Sequence, residues 1–316
     1  MNEAVFKTAN LCVVGNINRD IKTTPIRAGN YLLHDGETSA ASIIETIGGG
    51  GANSACAAAT LGANVAFLGK VGADTLGKQL EQTLIQQGII ARLARDKTQS
   101  TGTSIALTFE NGRRHFVSCL PNNQSLAFND LDLKILLQFN HLLRADIWFS
   151  EAMLFGGNEK LFKAARKFGL AISIDLNWDP QWNCASAKKI RERKQAVREV
   201  LPLVNLAHGN VREINEFADS TDLKTSLHRL TKWGAEAVVI HMGEKGAGYF
   251  HEGKLTVEPP APVTGQVNTT GTGDVLSVCM MLLHHKTAMS IQEKIKLANK
   301  IVSQFIEGKR QLIPLL

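Results

Sequence analysis

Short apolar runs of four to six residues, each closing on glycine or a polar cluster, recur along this chain. They are LCVVG (Leu11 to Gly15), NVAFLG (from Asn64), DIWFS (Asp146 to Ser150), AISIDLN (Ala171 to Asn177), VNLAH (Val204 to His208) and AVVIHM (Ala237 to Met242). Their lack of alternation predicts strands covered on both faces. Helical stretches separate the last four. Strand–helix alternation of this kind predicts βαβ units, a parallel sheet and an α/β fold. The first half is less regular. Residues 21–46 alternate loosely and predict strands of a small flap. A small-residue helix is expected from Ser54 to Leu61, and Asp74 is placed to cap a helix over Thr75 to Gln87. TGTSIALTFENGRRHFVSCLPNN reads as two alternating strands around an Asn111-Gly112 turn, a strong hairpin dipeptide.

One later stretch organises the rest. NTTGTGD, Asn268 to Asp274, runs straight into the apolar helix VLSVCMMLL. Gly271, Thr272 and Gly273 before a helix N-terminus let backbone N–H groups converge on an anion, most often a phosphate. Asp274 at that mouth has two readings. It is a base that takes a proton from an attacking hydroxyl, or it is an N-cap.

Polar residues collect beyond the strand ends, where open α/β sheets bind ligands. Asn16, Asn18 and Asp20 follow the first strand; Ser150 and Glu151, then Asp175, Asn177 and Asp179, follow later ones. Four glycines, Gly48 to Gly51, precede Asn53 and imply close backbone approach. Asn210 and Glu213 share one face at a helix start, suited either to a hydrated magnesium ion or to an ordinary cap. Gly243, Gly246 and Gly248 surround Lys245 in a turn that lies against a nucleotide phosphate or simply joins two strands.

Composition narrows the picture. The 316 residues fit one large α/β domain or two smaller ones, and 44% of them are hydrophobic. No run of 18 apolar residues and no convincing signal peptide is present. Five scattered cysteines without a CxxC pair argue for reduced thiols in a cytoplasmic setting, packed as small buried hydrophobes. The net charge of +6 suits an anionic ligand. KKIRERK, Lys188 to Lys194, reads as a solvated helix face and not as a nucleic-acid patch, since no aromatic residue interleaves. His284 and His285 are expected on a helix surface. GADTLGKQ has Walker spacing, but Gln79 stands where magnesium needs Ser or Thr. No GxGxxG follows a strand in the glycine cluster, so neither P-loop nor dinucleotide binding is supported.

Taken together, these motifs resemble the ribokinase, or PfkB, family of carbohydrate kinases over nearly the whole chain. GGGGANSACAAATLGANVAFLGKVGADTLG is similar to its first signature and NTTGTGDVLSVCMM to its second, usually DTTGAGDAF. GNVREI is similar to its N-x-x-E motif and MGEKGAG to its nucleotide loop. The resemblance implies a ribokinase-like three-layer sandwich in one domain, with a mostly parallel central sheet. It also implies a small β-sheet lid from about residues 21–46 and 102–118. By it, Asp274 is the base and Gly271, Thr272 and Gly273 the anion hole. Asn18, Asp20, Gly49 and Asn53 face the sugar hydroxyls, with Glu151 a further contact. Gly243, Lys245, Gly246 and Asn268 meet ATP, and Asn210 and Glu213 order Mg2+ through water. The implied partners are a sugar and ATP, with no nucleic acid or membrane, and the implied assembly is a homodimer through the lid. Asn268 replaces an Asp that helps hold a monovalent cation, potassium, in members activated by it. NxNxD at Asn16 to Asp20 looks like ribokinase. DLNWDPQW looks like the D-x-N-x-R segment of fructokinases and ketodeoxygluconate kinases, with Asp179 where Arg is common. A nucleoside kinase and a catalytically silent sugar- or nucleotide-binding regulator are the alternatives. The 6% aromatic content gives little to stack a base, and the retained Asp274, Asn210 and Glu213 speak against silence.

Overall fold

The computed structural model describes residues 3–264, 271–311 and 313–316. In chain order the strands and helices begin with β1 (Asn10–Val14), β2 (Asn18–Thr23), β3 (Ile43–Gly48), α1 (Gly50–Thr60), β4 (Asn64–Gly72), α2 (Thr75–Gln86) and β5 (Ile90–Asp96). There follow β6 (Thr103–Thr108), β7 (Arg114–Cys119), the single turn α3 (Pro121–Gln124), β8 (His141–Arg144), α4 (Asn158–Lys167), β9 (Ala171–Asp175) and α5 (Ala187–Arg198). The last third holds β10 (Leu206–Asn210), α6 (Val211–Phe217), α7 (Leu223–Lys232), β11 (Ala237–His241), β12 (Ala247–His251), β13 (Lys254–Glu258), α8 (Thr272–His284) and α9 (Ile291–Ile306).

Among the described residues, nine strands form one sheet in the order β13-β12-β11-β10-β9-β8-β1-β4-β5. The seven from β11 to β5 are parallel; β12 and β13 add on antiparallel. β1 shows why the runs carry no alternation. Leu11 and Val13 point into one core with residues of α1, α2, α8 and α9, while Cys12 and Val14 point into a second with α4, α6 and α7. Helices therefore cover both faces, a three-layer arrangement. From β1 the chain builds outward through β4 and β5, then returns to β8 on the other side of β1. The strand order reverses between β1 and β8, and that crevice is where such sheets bind ligands.

A separate four-stranded sheet has the order β3-β2-β6-β7. The expected hairpin forms its outer half. Phe109 N donates to Arg113 O, and Gly112 adopts φ +76° in the turn. Between β2 and β3, residues 24–42 form no further strand.

Several expectations need correction. DIWFS is not a strand. The strand is His141–Arg144, and Asp146 follows it in the left-handed region at φ 53°. Both strand ends are polar yet buried, His141 on Ser173 Oγ at 2.7 Å and Arg144 on Asn158 Oδ1 at 2.9 Å. Ile147 and Trp148 are apolar because they fill the second core, not because they pair in the sheet. β10 begins two residues later than expected and so includes Asn210. The first helix starts at Gly50, four residues early. KKIRERK is only partly solvated, since Arg193 and Lys194 are buried in ion pairs. His284 is half-buried against His141, ring centroids 5.5 Å apart. Cys12, Cys56 and Cys279 are buried, but Cys119 and Cys184 are exposed.

Candidate active site

The crevice between β1 and β8 is closed by a carboxylate that the sequence reading missed. Asp146 is buried and its Oδ2 accepts from the backbone of Asn16 at 2.9 Å and of Gly51 at 2.8 Å. It thereby joins the end of β1 to the first turn of α1. The glycines make this approach physically possible. Gly49 has φ +92°, and a Cβ there would lie 2.5 Å from Asn16 O; at Gly51 one would lie 2.7 Å from Gly15 Cα. No local pattern marks Asp146, because its partners lie 130 and 95 residues away.

Asp274 projects from the third residue of α8. The N-cap is Gly271, in the left-handed region at φ +80°, so Asp274 is not the cap. Its carboxylate instead takes a hydrogen bond from Asn53 of α1. Burial first, and then the charges of Asp146, Glu213 and Asp20, push its pKa up to about 7. Asp20 is itself raised, by burial. Asn18 Nδ2 donates to Asp20 Oδ1 at 2.7 Å, so Asn18 orients Asp20 from the same face of β2. Asp20 also lies against Gly48, where a Cβ would come within 2.1 Å of its Oδ1.

Asp175, at the end of β9, is held well above the usual carboxylate range by burial and by Glu213 and Asp274. Asn210 and Glu213 form a reciprocal cap on α6. Asn210 Oδ1 accepts from Glu213 N at 2.9 Å, and Glu213 Oε2 accepts from Asn210 N at 2.8 Å. Glu213 thus belongs both to the cap and to the acid cluster. Asp20, Asp146, Asp175, Glu213 and Asp274 repel one another through a shared, water-poor space.

Next to Gly273 opens a cleft of about 710 Å3. Its lining is apolar at Pro260, Val263, Leu276, Val302 and Ile306, and it also includes Gly243, Gly246, Thr272 and Gly273. His241 lines it too, its Nε2 3.0 Å from Ser277 Oγ and its pKa lowered by burial to about 4.

The pfkB family carbohydrate kinase model matches residues 8–310. This chain belongs to that family. It is 27% identical over 284 residues to the ribokinase of Haemophilus influenzae, covering 84% of this chain and 82% of that one. It is 26% identical over 249 residues to the fructokinase of Vibrio alginolyticus, covering 77% of each. Among solved structures, a putative ribokinase II of E. coli in complex with ATP and Mg2+ superposes with a TM-score of 0.80 at 18% identity. That match covers 96% of this chain and 94% of the other. Arabidopsis thaliana ribokinase complexed with ribose and ATP gives 0.74 at 20% identity, over 96% and 95% of the two chains. The reaction class is phosphoryl transfer to a sugar.

The kinase brings Asn18, Asp20, Gly49, Asn53, Glu213 and Asp274 to one region. Glu151 stands apart, exposed and paired with Lys189 at 2.8 Å. Gly243 and Gly246 reach the large cleft, whereas Lys245 is exposed beside them and does not line it. Gly246 is fixed by its own turn, since φ is +90° and a Cβ would sit 2.1 Å from Glu258 O. Asn268 lies outside the described residues. Among the described residues no group of three His, Cys, Asp or Glu is placed to bind a metal directly, and no helix is long and apolar enough to cross a membrane.

Proposed function

We propose that this kinase is a single catalytic domain that moves the γ-phosphoryl group of ATP to a primary hydroxyl of a sugar. The observation that carries the reading is the Asp274 carboxylate. It is held by Asn53 in the first turn of α8, between the large cleft and the β1–β8 crevice, with a pKa lifted to about 7. A base so poised takes the hydroxyl proton as the new P–O bond forms. The N–H groups from Gly271 to Gly273 face the charge that develops on the phosphoryl oxygens. Asp20, oriented by Asn18, and Asn53 hold the acceptor hydroxyls. The apolar lining from Pro260 to Val263 suits a purine, and the glycines of the lining suit its phosphates.

The residues also suit magnesium. Glu213 and Asp274 raise the pKa of Asp175, and Asp146, Glu213 and Asp20 raise that of Asp274, a repulsion that a hydrated divalent cation relieves. Asn210 and Glu213 would hold its waters, and the ion would neutralise charge on the β- and γ-phosphates. Asn268 lacks the charge that would help retain potassium, so we expect weak monovalent-cation activation. The small sheet acts as a lid. Its outward residues Ile43, Ile105 and Val117 are exposed, 64%, 42% and 59%, which favours a homodimer through the lid. Free cysteines suit the cytoplasm.

A coupled ATP-consumption screen over pentoses, hexoses, sugar acids and nucleosides tests the reading. Turnover of a sugar is expected. Turnover of nucleosides alone would make this a nucleoside kinase, and binding without any turnover would make it a silent regulator.

A further inference from the structure

A second cleft, polar and about 290 Å3 in volume, includes Gln124, Trp148, Glu151, Asp179, Gln181 and Arg193 in its lining. Three segments run into it from the crevice. Gln124 follows Asn123, whose Oδ1 accepts from Ile17 N at 3.1 Å. Trp148 lies two residues beyond Asp146. Asp179 lies two beyond Asn177, whose Nδ2 donates to Asp146 Oδ1 at 3.3 Å. Two of these segments thus run outward from Asp146, and the third from Ile17, the neighbour of the Asn16 whose backbone N–H donates to Asp146. Its volume, about 290 Å3, is at the low end for ligand sites and suits part of a small molecule.

The charges in it are matched. Asp179 is fully buried and Arg193 nearly so. They meet fork to fork, Nε to Oδ2 at 2.7 Å and Nη2 to Oδ1 at 3.0 Å. Arg193 Nη2 also donates to Trp148 O, and Nη1 to Glu151 Oε1 at 3.4 Å. Lys189 Nζ meets the same Glu151 oxygen at 2.8 Å, which holds Glu151 below its ordinary range. Two cations thus stand against two carboxylates. Where the resembling segment has Arg in the strand-end loop, this chain has Asp179, and the guanidinium arrives from α5 already paired.

We propose that this cleft is the distal subsite of the acceptor and that it selects a neutral, hydroxyl-rich sugar over a sugar acid. The proposal rests on the sugar-kinase reading. A ligand carboxylate entering here finds its cations committed to protein carboxylates, and displacing one strands a buried charge. Hydroxyls face no such penalty. They donate to Glu151 and exchange hydrogen bonds with the amides of Gln124 and Gln181.

The test is titration calorimetry of the intact protein with D-fructose and D-ribose as neutral probes. D-gluconate and 2-keto-3-deoxy-D-gluconate serve as acid probes, and ADP release is followed separately. At least one neutral sugar should bind about tenfold tighter than either acid, the scale of one charge-assisted hydrogen bond. Glu151→Gln, at an exposed position, uncovers Lys189 and should shift the acid-to-neutral affinity ratio toward the acids by several-fold. Asp179→Asn should shift it in the same direction, with a melting curve to verify folding. Equal or tighter binding of an acid by the unmodified protein, no binding of any neutral sugar, or an unchanged ratio in Glu151→Gln would overturn the subsite. Preferred phosphorylation of an acid would do so while leaving the kinase reading intact. Selective neutral binding without ADP release would support the subsite and sink the kinase reading.

Discussion

Asp274 gains chemistry at a cost in stability, and the two can be measured on one variant. A carboxylate in an unfolded chain titrates near 3.9, and in this fold Asp274 titrates at about 7. Between those values the folded state binds more protons than the unfolded one, so stability falls as pH rises through that window. Asp274→Asn should lower turnover by about 10²–10⁴-fold, the usual worth of a positioned base. The same variant should melt higher than the parent at pH 8 and lose that advantage at pH 4. For the parent, kcat/KM should climb with pH and level off above about 7. A coupled assay and melting curves at both pH values check all of this. Near-normal turnover in the variant would remove Asp274 from the chemistry. Asp274 was legible because glycines, an acid and an apolar helix occur together in a few adjacent residues. Asp146 was not. It follows a strand with a buried His and Arg at its ends, and its partners are backbone amides from distant segments.

At the scale of elements, α6 poses a sharper question. Its capping box and its proposed metal role use the same two side chains. Glu213→Gln separates them, because Gln can keep the reciprocal cap while the charge is lost. The melting temperature should stay within a few degrees of the parent, while the magnesium concentration for half-maximal rate rises. An unchanged magnesium titration would leave Glu213 as a cap alone. The small sheet makes a second case. If it is a lid, hydrogen exchange over residues 102–118 should slow when the true sugar binds; identical protection in both states would count against closure. Regular elements with one burial pattern were readable, as the β6–β7 hairpin and the parallel strands β1, β9 and β11 show. Helix and strand starts were less so where polar groups are buried in pairs. The Arg193–Asp179 fork and the Lys194 contacts with Glu216 and Asp219 put charged residues where solvent was expected.

For the whole molecule, a row of histidines between the main sheet and α8 sets acid tolerance. His141 and His208 are buried and held well below their ordinary range, His141 by burial and then by His284, His285 and His208, and His208 by burial and then by His241 and His284. His241 and His284 titrate at about 4. The unfolded chain takes up these protons near 6.5, so the stability of neutral histidines is present above that pH and lost as pH falls toward 4. Neither ring nitrogen of His208 has a hydrogen-bond partner among the described residues. His208→Leu should therefore show a smaller loss of unfolding free energy between pH 7 and pH 5 by urea titration; an equal loss would clear His208 of this role. The bond from Asn16 to Asp146 reaches further still, into how the molecule comes into being. It spans 130 residues, and Asp274 follows well over a hundred residues later. On a ribosome adding roughly 5–20 residues per second, β1 emerges several seconds before β8, the neighbour that covers its open edge. Until then a strand that is apolar from Leu11 to Val14 has one side unpaired, a template for strands of other nascent copies. Slow synthesis, or a pause before residue 146, should thus favour aggregation over activity, and chaperone supply should matter most during that interval.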